Sequence, residues 1–379
     1  MSTLPDLPVT TVGSWPRPPA LLRAQRLKHS GRLSVEEFER QADAAVLEVV
    51  RLQEEAGIDI LTDGEQRRDN FYSFVAEKLT GTKLMTLLEL LDVVEDKASF
   101  ERVLQTLDVP AYALRTPTCI GPLERRQPLA VEELTFLQRH TDKPIKIPLP
   151  GPYLLTRAMF VQEVTRQTYP TKEALAEDVV RILRDEIAEL IAAGAAFIQL
   201  DEPVLTELVF AQGQTRTFMC AALAARNDPA EELEFAVSLI NRVLEGVVGV
   251  RTGLHICRGN WSQDESTLLQ GSYHPLAPYL ERLHVQQLVL EYATERAGSL
   301  MSFAEKEIGL GVVNPRTPTV ESPETIKALI EQALQLYPRE RVFLNPDCGF
   351  GTFSNRPVNS TEIALNKLQV LVRVARSLR

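Results

Sequence analysis

The chain has 379 residues, 44% hydrophobic and 24% charged, which is enough to bury the core of one large α/β domain. A net charge of −10 argues against nucleic acid as the main partner, because an acidic surface repels phosphates. Residues 1–10 lack a basic region followed by an apolar run, and no apolar run is long enough to span a membrane. We therefore expect a cytoplasmic protein without a membrane partner.

In chain order, short apolar runs alternate with amphipathic helices, which is typical of βα units and a parallel sheet. The first clear helix begins at Ser34, has Glu37 at capping-box spacing and ends at Gly57, ahead of a strand at 58–62. A later helix has an apolar stripe over residues 175–190 and leads into a strand at 196–200.

Further apolar runs bring the number of candidate strands to nine, although a closed barrel of βα units has only eight. One candidate must therefore lie outside the barrel. The stretch near residues 83–110 predicts a helical insertion. The candidates are residues 9–13, 58–62, 117–121, 145–149, 196–200, 251–256, 286–290, 308–313 and 342–345.

Polar groups follow several of these strands directly. Because barrel active sites are assembled from the carboxyl ends of many strands, this pattern predicts a (β/α)8 TIM barrel, an α/β fold, as one domain over residues 1–379. An open doubly wound sheet is the alternative. The polar endings are Thr62-Asp63-Gly64-Glu65, Gln199-Leu200-Asp201-Glu202-Pro203, Leu254-His255-Ile256-Cys257, Leu290-Glu291 and Asn345-Pro346-Asp347-Cys348-Gly349.

His255 and Cys257 lie two apart on a predicted strand, so their side chains point to the same face. An imidazole and a thiolate side by side suit zinc, with Cys348 as a second sulfur ligand and Glu291 as an oxygen ligand. Each motif also has a simpler interpretation: a buried cysteine is usually inert, and a glutamate after a strand often caps a helix. We interpret Cys119 and Cys220 as core or incidental residues. We expect Arg67, Arg68 and Arg258 to be solvated at the rim of the site.

Taken together, the motifs closely resemble those of the catalytic C-terminal barrel of cobalamin-independent methionine synthase, in order and in spacing. The chain resembles a short form without that family's N-terminal barrel. The motifs that carry the resemblance are Thr10-Thr11-Val12-Gly13-Ser14-Trp15-Pro16, Asp63-Gly64-Glu65, Asp201-Glu202-Pro203, His255-Ile256-Cys257, Glu291 and Asn345-Pro346-Asp347-Cys348-Gly349.

The resemblance implies a methyltransferase that makes methionine from homocysteine, with zinc held by His255, Cys257, Glu291 and Cys348. It also implies that Ser14, Glu65 and Asp201 hold the amino-acid end of homocysteine, which suits two carboxylates facing an ammonium group. Zinc turns the substrate thiol into a thiolate at neutral pH, and Glu291 is the ligand expected to loosen when that sulfur binds. No further catalytic residue is predicted.

Two departures from the family pattern concern the methyl donor. A methyl-folate needs a proton on its departing amine, yet Arg316 stands where the family has a histidine, and Ala158 stands near the place of a folate-stacking tryptophan. A methyl-corrinoid leaves without a proton. The sequence therefore predicts methylcobalamin, free or on a corrinoid protein, as the donor.

Three alternatives remain at this point. The first is a methyl-folate-dependent homocysteine methyltransferase. The second is a zinc enzyme that alkylates coenzyme M, which the run from His255 to Asn260 also resembles. Coenzyme M has no ammonium group for Glu65 and Asp201 to bind. The third is a zinc-binding regulator without turnover.

Overall fold

A computed structural model describes residues 4–94, 97, 115–210, 228–260, 269–354 and 357–379. Its strands are β1 (Leu79–Thr86), β2 (Arg115–Arg125), β3 (Lys146–Pro150), β4 (Phe197–Asp201), β5 (Arg251–Ile256), β6 (Gln287–Glu291), β7 (Glu307–Val313) and β8 (Val342–Pro346). Its longer helices are α1 (Pro19–His29), α2 (Val35–Ala56), α3 (Lys172–Ala192), α4 (Pro229–Leu244), α5 (Pro323–Leu334) and α6 (Thr361–Leu378). Shorter helices span Val75–Lys78, Leu87–Val93, Val131–Gln138, Pro152–Met159, Gln162–Thr165, Val204–Phe210 and Ala277–Leu280.

Strands β3 to β8 form one parallel sheet in sequence order. Two short segments close this sheet into a ring through parallel bridges: Val9 pairs with Leu344, Thr10 with Ile60, and Leu61 with Ile145. These segments occupy the first and second barrel positions, which confirms the predicted (β/α)8 barrel and excludes the open sheet. They form bridges rather than full strands, so the runs predicted at 9–13 and 58–62 are shorter than expected.

The ninth candidate strand, 117–121, lies in β2 and outside the barrel. It pairs antiparallel with β1. This pairing changes the predicted insertion: residues 87–93 are helical as expected, but β1 extends through residues 83–86 and is a strand. Much of the remainder of the predicted insertion lies outside the described residues. Hydrophobic alternation predicts a strand equally well in a hairpin and in a barrel, so the sequence did not separate the two.

The helix predicted between Ser34 and Gly57 is confirmed. Ser34 caps α2 by accepting a hydrogen bond from the Glu37 backbone N–H, and Gly57 ends this helix with a φ of 85°. The reciprocal half of the expected capping box is replaced, because the Glu37 carboxylate accepts from Arg40 and Gln41 instead. Among the described residues, no helix has the length and apolarity needed to cross a lipid bilayer.

Candidate active site

Each predicted site residue lies at the carboxyl end of a barrel position, where the loops leave the sheet. Asp201 is the last residue of β4, Glu291 is the last residue of β6, and Cys257 and Cys348 follow β5 and β8 closely. His255 pairs in register with Asp201 on the neighbouring strand. Because parallel strands end at the same rim, residues far apart in the sequence are brought to one place.

Three of the four predicted metal ligands converge. A nitrogen of His255 and the sulfurs of Cys257 and Cys348 all lie within 4.8 Å of one another, and all three side chains are buried. The buried His255 ring interacts with the Cys257 sulfur and has no hydrogen bond to a described nitrogen or oxygen atom, so a metal ion would satisfy it. One nitrogen and two sulfurs form a donor set suited to zinc.

The two sulfurs share a hydrogen bond that shifts their pKa values in opposite directions. The bond from Cys348 holds the pKa of Cys257 well below the usual thiol value, and the same bond raises the pKa of Cys348 well above it. The shared hydrogen bond thus makes the Cys257 thiol the more acidic of the two.

The fourth predicted ligand, Glu291, lies next to this group but outside it. Its Oε1 accepts a hydrogen bond from the Arg258 backbone N–H at 2.9 Å and another from the Asn260 side chain. Its Oε2 forms an ion pair with Arg296 at 3.1 Å. The carboxylate thus has three protein donors where the sequence predicted a metal ligand.

A pocket of about 420 Å³ of empty space opens above the His255–Cys257–Cys348 group. It contains all three residues predicted to hold the substrate's amino-acid end. The pocket is lined by Val12, Ser14, Glu65, Phe71, Asp201, Pro203, His255, Cys257, Asn260, Cys348, Gly349 and Thr352.

Glu65 occupies this pocket at a conformational cost. Its φ is +54°, a region that L-residues with long side chains rarely adopt. The buried Arg17 side chain supports the turn by donating to the backbone oxygens of Glu65, at 2.7 Å, and of Arg68, at 2.8 Å. The Oε2 atom of Glu65 is buried without a hydrogen-bond partner. Strain and an unpaired carboxylate oxygen together indicate a ligand-binding position.

Burial raises the pKa of both pocket carboxyl groups, to about 7 for Glu65 and about 6 for Asp201. Removal from water is the largest cause in both cases. A bound ammonium would oppose this effect by favouring the charged forms. Arg17 and Arg68 near Glu65, and Lys146 near Asp201, already oppose it in part, but the buried Glu65 Oε2 has no hydrogen-bond partner and could accept from a cationic ligand.

Two arginines expected at the rim are buried instead. Arg68 forms an ion pair with Glu133 and donates to the Pro148 carbonyl at 3.0 Å. Arg258 is fully buried, with its guanidinium 4.2 Å from the centroid of the Tyr273 ring. The prediction of solvated rim residues is wrong for these two, because their aromatic and carboxylate neighbours come from distant parts of the chain.

The position aligned with the family's histidine also has a structural role here. Arg316 is buried and donates through Nε to Asn260 Oδ1 at 2.9 Å, and Asn260 in turn donates to Glu291. Arg316 therefore supports the donors that hold Glu291. The remaining histidines, His29, His140, His274 and His284, do not line this pocket.

The sequence pattern did not reveal two residues that hold the site together. Asp347 accepts hydrogen bonds from the backbone N–H groups of Tyr292 and Ala293 at 3.0 Å, which ties the end of β8 to the loop after β6. Lys146 lies buried within β3 and donates to Gln199. The available signal for Lys146 was a charged residue between two isoleucines in an otherwise apolar strand.

Of the cysteines outside the site, Cys119 is buried in the hydrophobic core, as predicted. Cys220 lies outside the described residues. The Cys119 thiol donates to the Gly121 carbonyl, and burial raises its pKa to about 11. A thiol so hard to ionise is a poor ligand or nucleophile, which agrees with the interpretation of this residue as inert.

Comparison with known proteins adds an independent line of evidence. A family model described as "Cobalamin-independent synthase, Catalytic domain" matches residues 7–377. The chain is 32% identical to a methionine synthase of Thermococcus kodakarensis, over 98% of this chain and 93% of that one. It is 30% identical to a methionine synthase of Pyrococcus furiosus, over 99% of this chain and 94% of that one.

Among solved structures, the fold is similar to that of a B12-independent methionine synthase from Shewanella sp. W3-18-1 in complex with selenomethionine. The TM-score is 0.73 at 24% identity, covering 99% of this chain and 98% of that one. This likeness supports the fold. The description of the matched family as cobalamin-independent gives no support to the methylcobalamin donor, or to the corrinoid partner, predicted from the sequence.

Proposed function

The chain belongs to the cobalamin-independent synthase family and is a methyltransferase of the methionine synthase type; on that premise we propose that it methylates homocysteine with the help of zinc. One observation carries the proposal. The buried group of His255, Cys257 and Cys348 lies in the same pocket as the Glu65 and Asp201 carboxyl groups, and the described residues that line this pocket include no lysine or arginine. A metal that binds sulfur and a recognition site for an ammonium group thus lie side by side.

In this proposal His255, Cys257 and Cys348 hold the zinc and Glu291 is the fourth ligand. When bound, zinc lowers the pKa of a coordinated thiol so that it is a thiolate at neutral pH. Arg296, Asn260 and the Arg258 backbone N–H compete for Glu291, which favours release of this ligand over the three others. The preference agrees with its chemistry, since a carboxylate is the hard ligand in a sulfur-rich set.

The amino-acid end of the substrate is assigned to the Glu65, Asp201 and Ser14 side chains of the same pocket. Glu65 and Asp201 bind the ammonium group by charge-assisted hydrogen bonds. Ser14 lies beside them and donates to the substrate carboxylate. The pocket walls then fix the thiol over the metal group, so that positioning and thiolate formation together account for the rate enhancement.

Glu65 also distinguishes homocysteine from the competing acceptor. Coenzyme M carries a sulfonate and no ammonium, so it would leave the buried Glu65 Oε2 without a partner. A buried polar group left without a hydrogen bond costs about 1–3 kcal/mol. Homocysteine is therefore the better fit to this pocket.

For the methyl donor, the description of the family as cobalamin-independent favours methyl-folate, the alternative that the sequence left open. The proton for its departing amine would have to come from another group, because His255 is the only histidine among the described residues that line the pocket.

The test is an assay of purified, zinc-loaded protein with homocysteine and each methyl donor separately. Methionine formed from homocysteine with methyl-folate alone would establish both acceptor and donor. Methionine formed only with methylcobalamin would establish the acceptor and restore the corrinoid donor. Full zinc occupancy with no methionine from either donor would overturn the proposal and favour a zinc-binding regulator.

A further inference from the structure

Lys146 is a charged side chain enclosed in the barrel interior. Its exposure is 0%, and its Nζ lies 3.1 Å from Oε1 of Gln199, with the Phe197 ring centroid 5.4 Å away. Burial lowers the pKa of Lys146 to about 7, against the opposing effect of the Asp201 and Glu65 carboxylates. A buried ammonium is costly, and no element of the fold requires one at this position. This cost indicates a function for the residue.

Gln199 connects this lysine to the pocket, and its side-chain amide has one favoured orientation. An ammonium group only donates hydrogen bonds, so the Gln199 oxygen must face Lys146 and its NH₂ group must face away. That NH₂ group donates to Asp201 Oδ1 at 2.8 Å and to the Val12 backbone oxygen at 3.0 Å. Both amide hydrogens are used, so the bonds to Lys146, Asp201 and Val12 all favour one orientation of the Gln199 amide.

The link ends on a residue of the proposed ammonium site. Gln199 and Asp201 are two apart on β4 and point to the same side of the strand. The groups that favour the charged form of Asp201 are His255, Gln199 and Lys146. His255 is neutral when it binds a metal, which leaves Lys146 as the cationic side chain on this side of the pocket. On the other side, Glu65 has Arg17 and Arg68.

We propose that Lys146 is a positioning residue for substrate recognition: by donating to Gln199 it helps to hold Asp201 in the orientation in which Asp201 accepts from the substrate's ammonium group. The inference rests on the proposed function, because it assumes that the ligand of Asp201 is the amino group of homocysteine. It assigns to Lys146 no contact with the substrate and no part in the methyl transfer itself.

The test compares two thiols that differ only in the amino group. Homocysteine and 4-mercaptobutanoate share the thiol, the chain length and the carboxylate. Their dissociation constants are measured by calorimetry on zinc-loaded wild type and Lys146→Met. We expect the variant to bind homocysteine about tenfold more weakly, the equivalent of losing one charge-assisted interaction, and to bind 4-mercaptobutanoate within about twofold of wild type. The KM for homocysteine should rise with little change in kcat.

Lys306→Met is the matched control. Lys306 is also a buried lysine, but it donates to the backbone oxygens of Leu283 and Val285, at the end of the barrel opposite the pocket. This variant should lose stability without changing the ratio of the two dissociation constants. Gln199→Met removes the amide that joins Lys146 to Asp201. It should therefore change the ratio of the two dissociation constants as Lys146→Met does. The double variant Lys146→Met/Gln199→Met should change this ratio little further.

Two outcomes would overturn the inference alone: wild type prefers homocysteine and Lys146→Met weakens both thiols equally, or Lys306→Met changes the ratio as much as Lys146→Met does. A wild type that binds homocysteine no better than 4-mercaptobutanoate would overturn the proposed function, and this inference with it. The wild-type comparison therefore distinguishes the two failures.

Discussion

Arg296 holds Glu291 in a buried ion pair, with Nη2 3.1 Å from Oε2 and the two side chains 5% and 1% exposed. The pair lies directly beside His255, Cys257 and Cys348, where the sequence predicted Glu291 to bind a metal. Arg296 and a metal ion compete for the same carboxylate. The strength of this pair therefore sets how readily Glu291 leaves or joins the proposed zinc.

Replacing Arg296 with glutamine should tighten zinc binding. Without the guanidinium, the Glu291 carboxylate is a stronger ligand, and the site as a whole is more negative. We expect the dissociation constant for zinc to fall about tenfold, since a charged hydrogen bond contributes on the order of 1.5–3 kcal/mol. Turnover should fall as well, because a carboxylate held by the metal is slower to yield to the substrate thiol. Zinc competition with a chromophoric chelator measures the first effect.

Arg125→Gln is the control for loss of an arginine that bonds to glutamates. Arg125 pairs with Glu186 and Glu189 on the outside of the barrel, so its loss should leave zinc affinity unchanged. Weaker zinc binding in Arg296→Gln would contradict the competition and indicate that Arg296 positions Glu291 for the metal.

Cys348→Ala should remove zinc from the protein. It takes one of two sulfurs from a three-residue group, and the remaining imidazole and thiolate rarely hold zinc alone. Metal analysis of purified protein should give about one zinc per chain in wild type and a small fraction of that in the variant. Cys119→Ala, which removes an equally buried cysteine far from the group, should retain full zinc. Stoichiometric zinc in Cys348→Ala would disprove the proposed ligand set.

The sequence predicted the barrel and the converging ligands for one physical reason. Parallel strands end at a common rim, so polar residues that follow separate apolar runs must meet there. That reasoning placed His255, Cys257 and Cys348 correctly without a structure. It failed for the run at 117–121, because the period of two identifies a strand but not its partner.

The sequence could not predict which protein side chains compete with a metal for Glu291. Asn260, Arg296 and Arg316 come from three different loops, and no spacing rule brings loop residues together. Lys146 was not predicted because the site was inferred from residues at strand ends, and Lys146 lies inside a strand. The rim of a barrel is thus predictable from pattern, whereas the side chains that orient its ligands depend on tertiary contacts.

Glu65→Gln should stabilise the protein at high pH while removing substrate affinity. Burial raises the pKa of Glu65 to about 7, above its ordinary value of 4.5. Between these pH values the folded state holds the proton more tightly than the unfolded state, so the free energy of unfolding falls as pH rises from about 4.5 to about 7. Glutamine does not titrate and avoids this loss. At pH 8 the variant should be more stable by about 3 kcal/mol.

The same variant should bind homocysteine ten- to a hundredfold more weakly, on the order expected for loss of a charge-assisted bond, while 4-mercaptobutanoate is unaffected. Thermal unfolding at pH 5 and pH 8 measures the stability effect, with a clear gain expected only at pH 8. A variant less stable than wild type at both values would show that the Glu65 charge is already balanced within the fold by Arg17 and Arg68.

Gly349→Ala should impair substrate binding through Ser14. A Cβ on Gly349 would meet the Ser14 Oγ, and the Ser14 backbone N and side-chain Cβ lie 3.2 Å from the same position. The Ser14 side chain must then rotate or shift away from the pocket. Since Ser14 is proposed to donate to the substrate carboxylate, the KM for homocysteine should rise about tenfold, the effect of one lost hydrogen bond to a charged group. Zinc content should remain that of wild type.

A double variant, Ser14→Ala with Gly349→Ala, tests whether Gly349→Ala acts through Ser14. Ser14→Ala removes both the proposed donor and the Oγ atom that the new methyl group would strike. If Gly349→Ala acts by displacing Ser14, the double variant should have the KM of Ser14→Ala alone. If the two effects multiply instead, Gly349 matters for another reason, such as the path of the loop that carries Cys348. Loss of zinc in Gly349→Ala would point to the same conclusion.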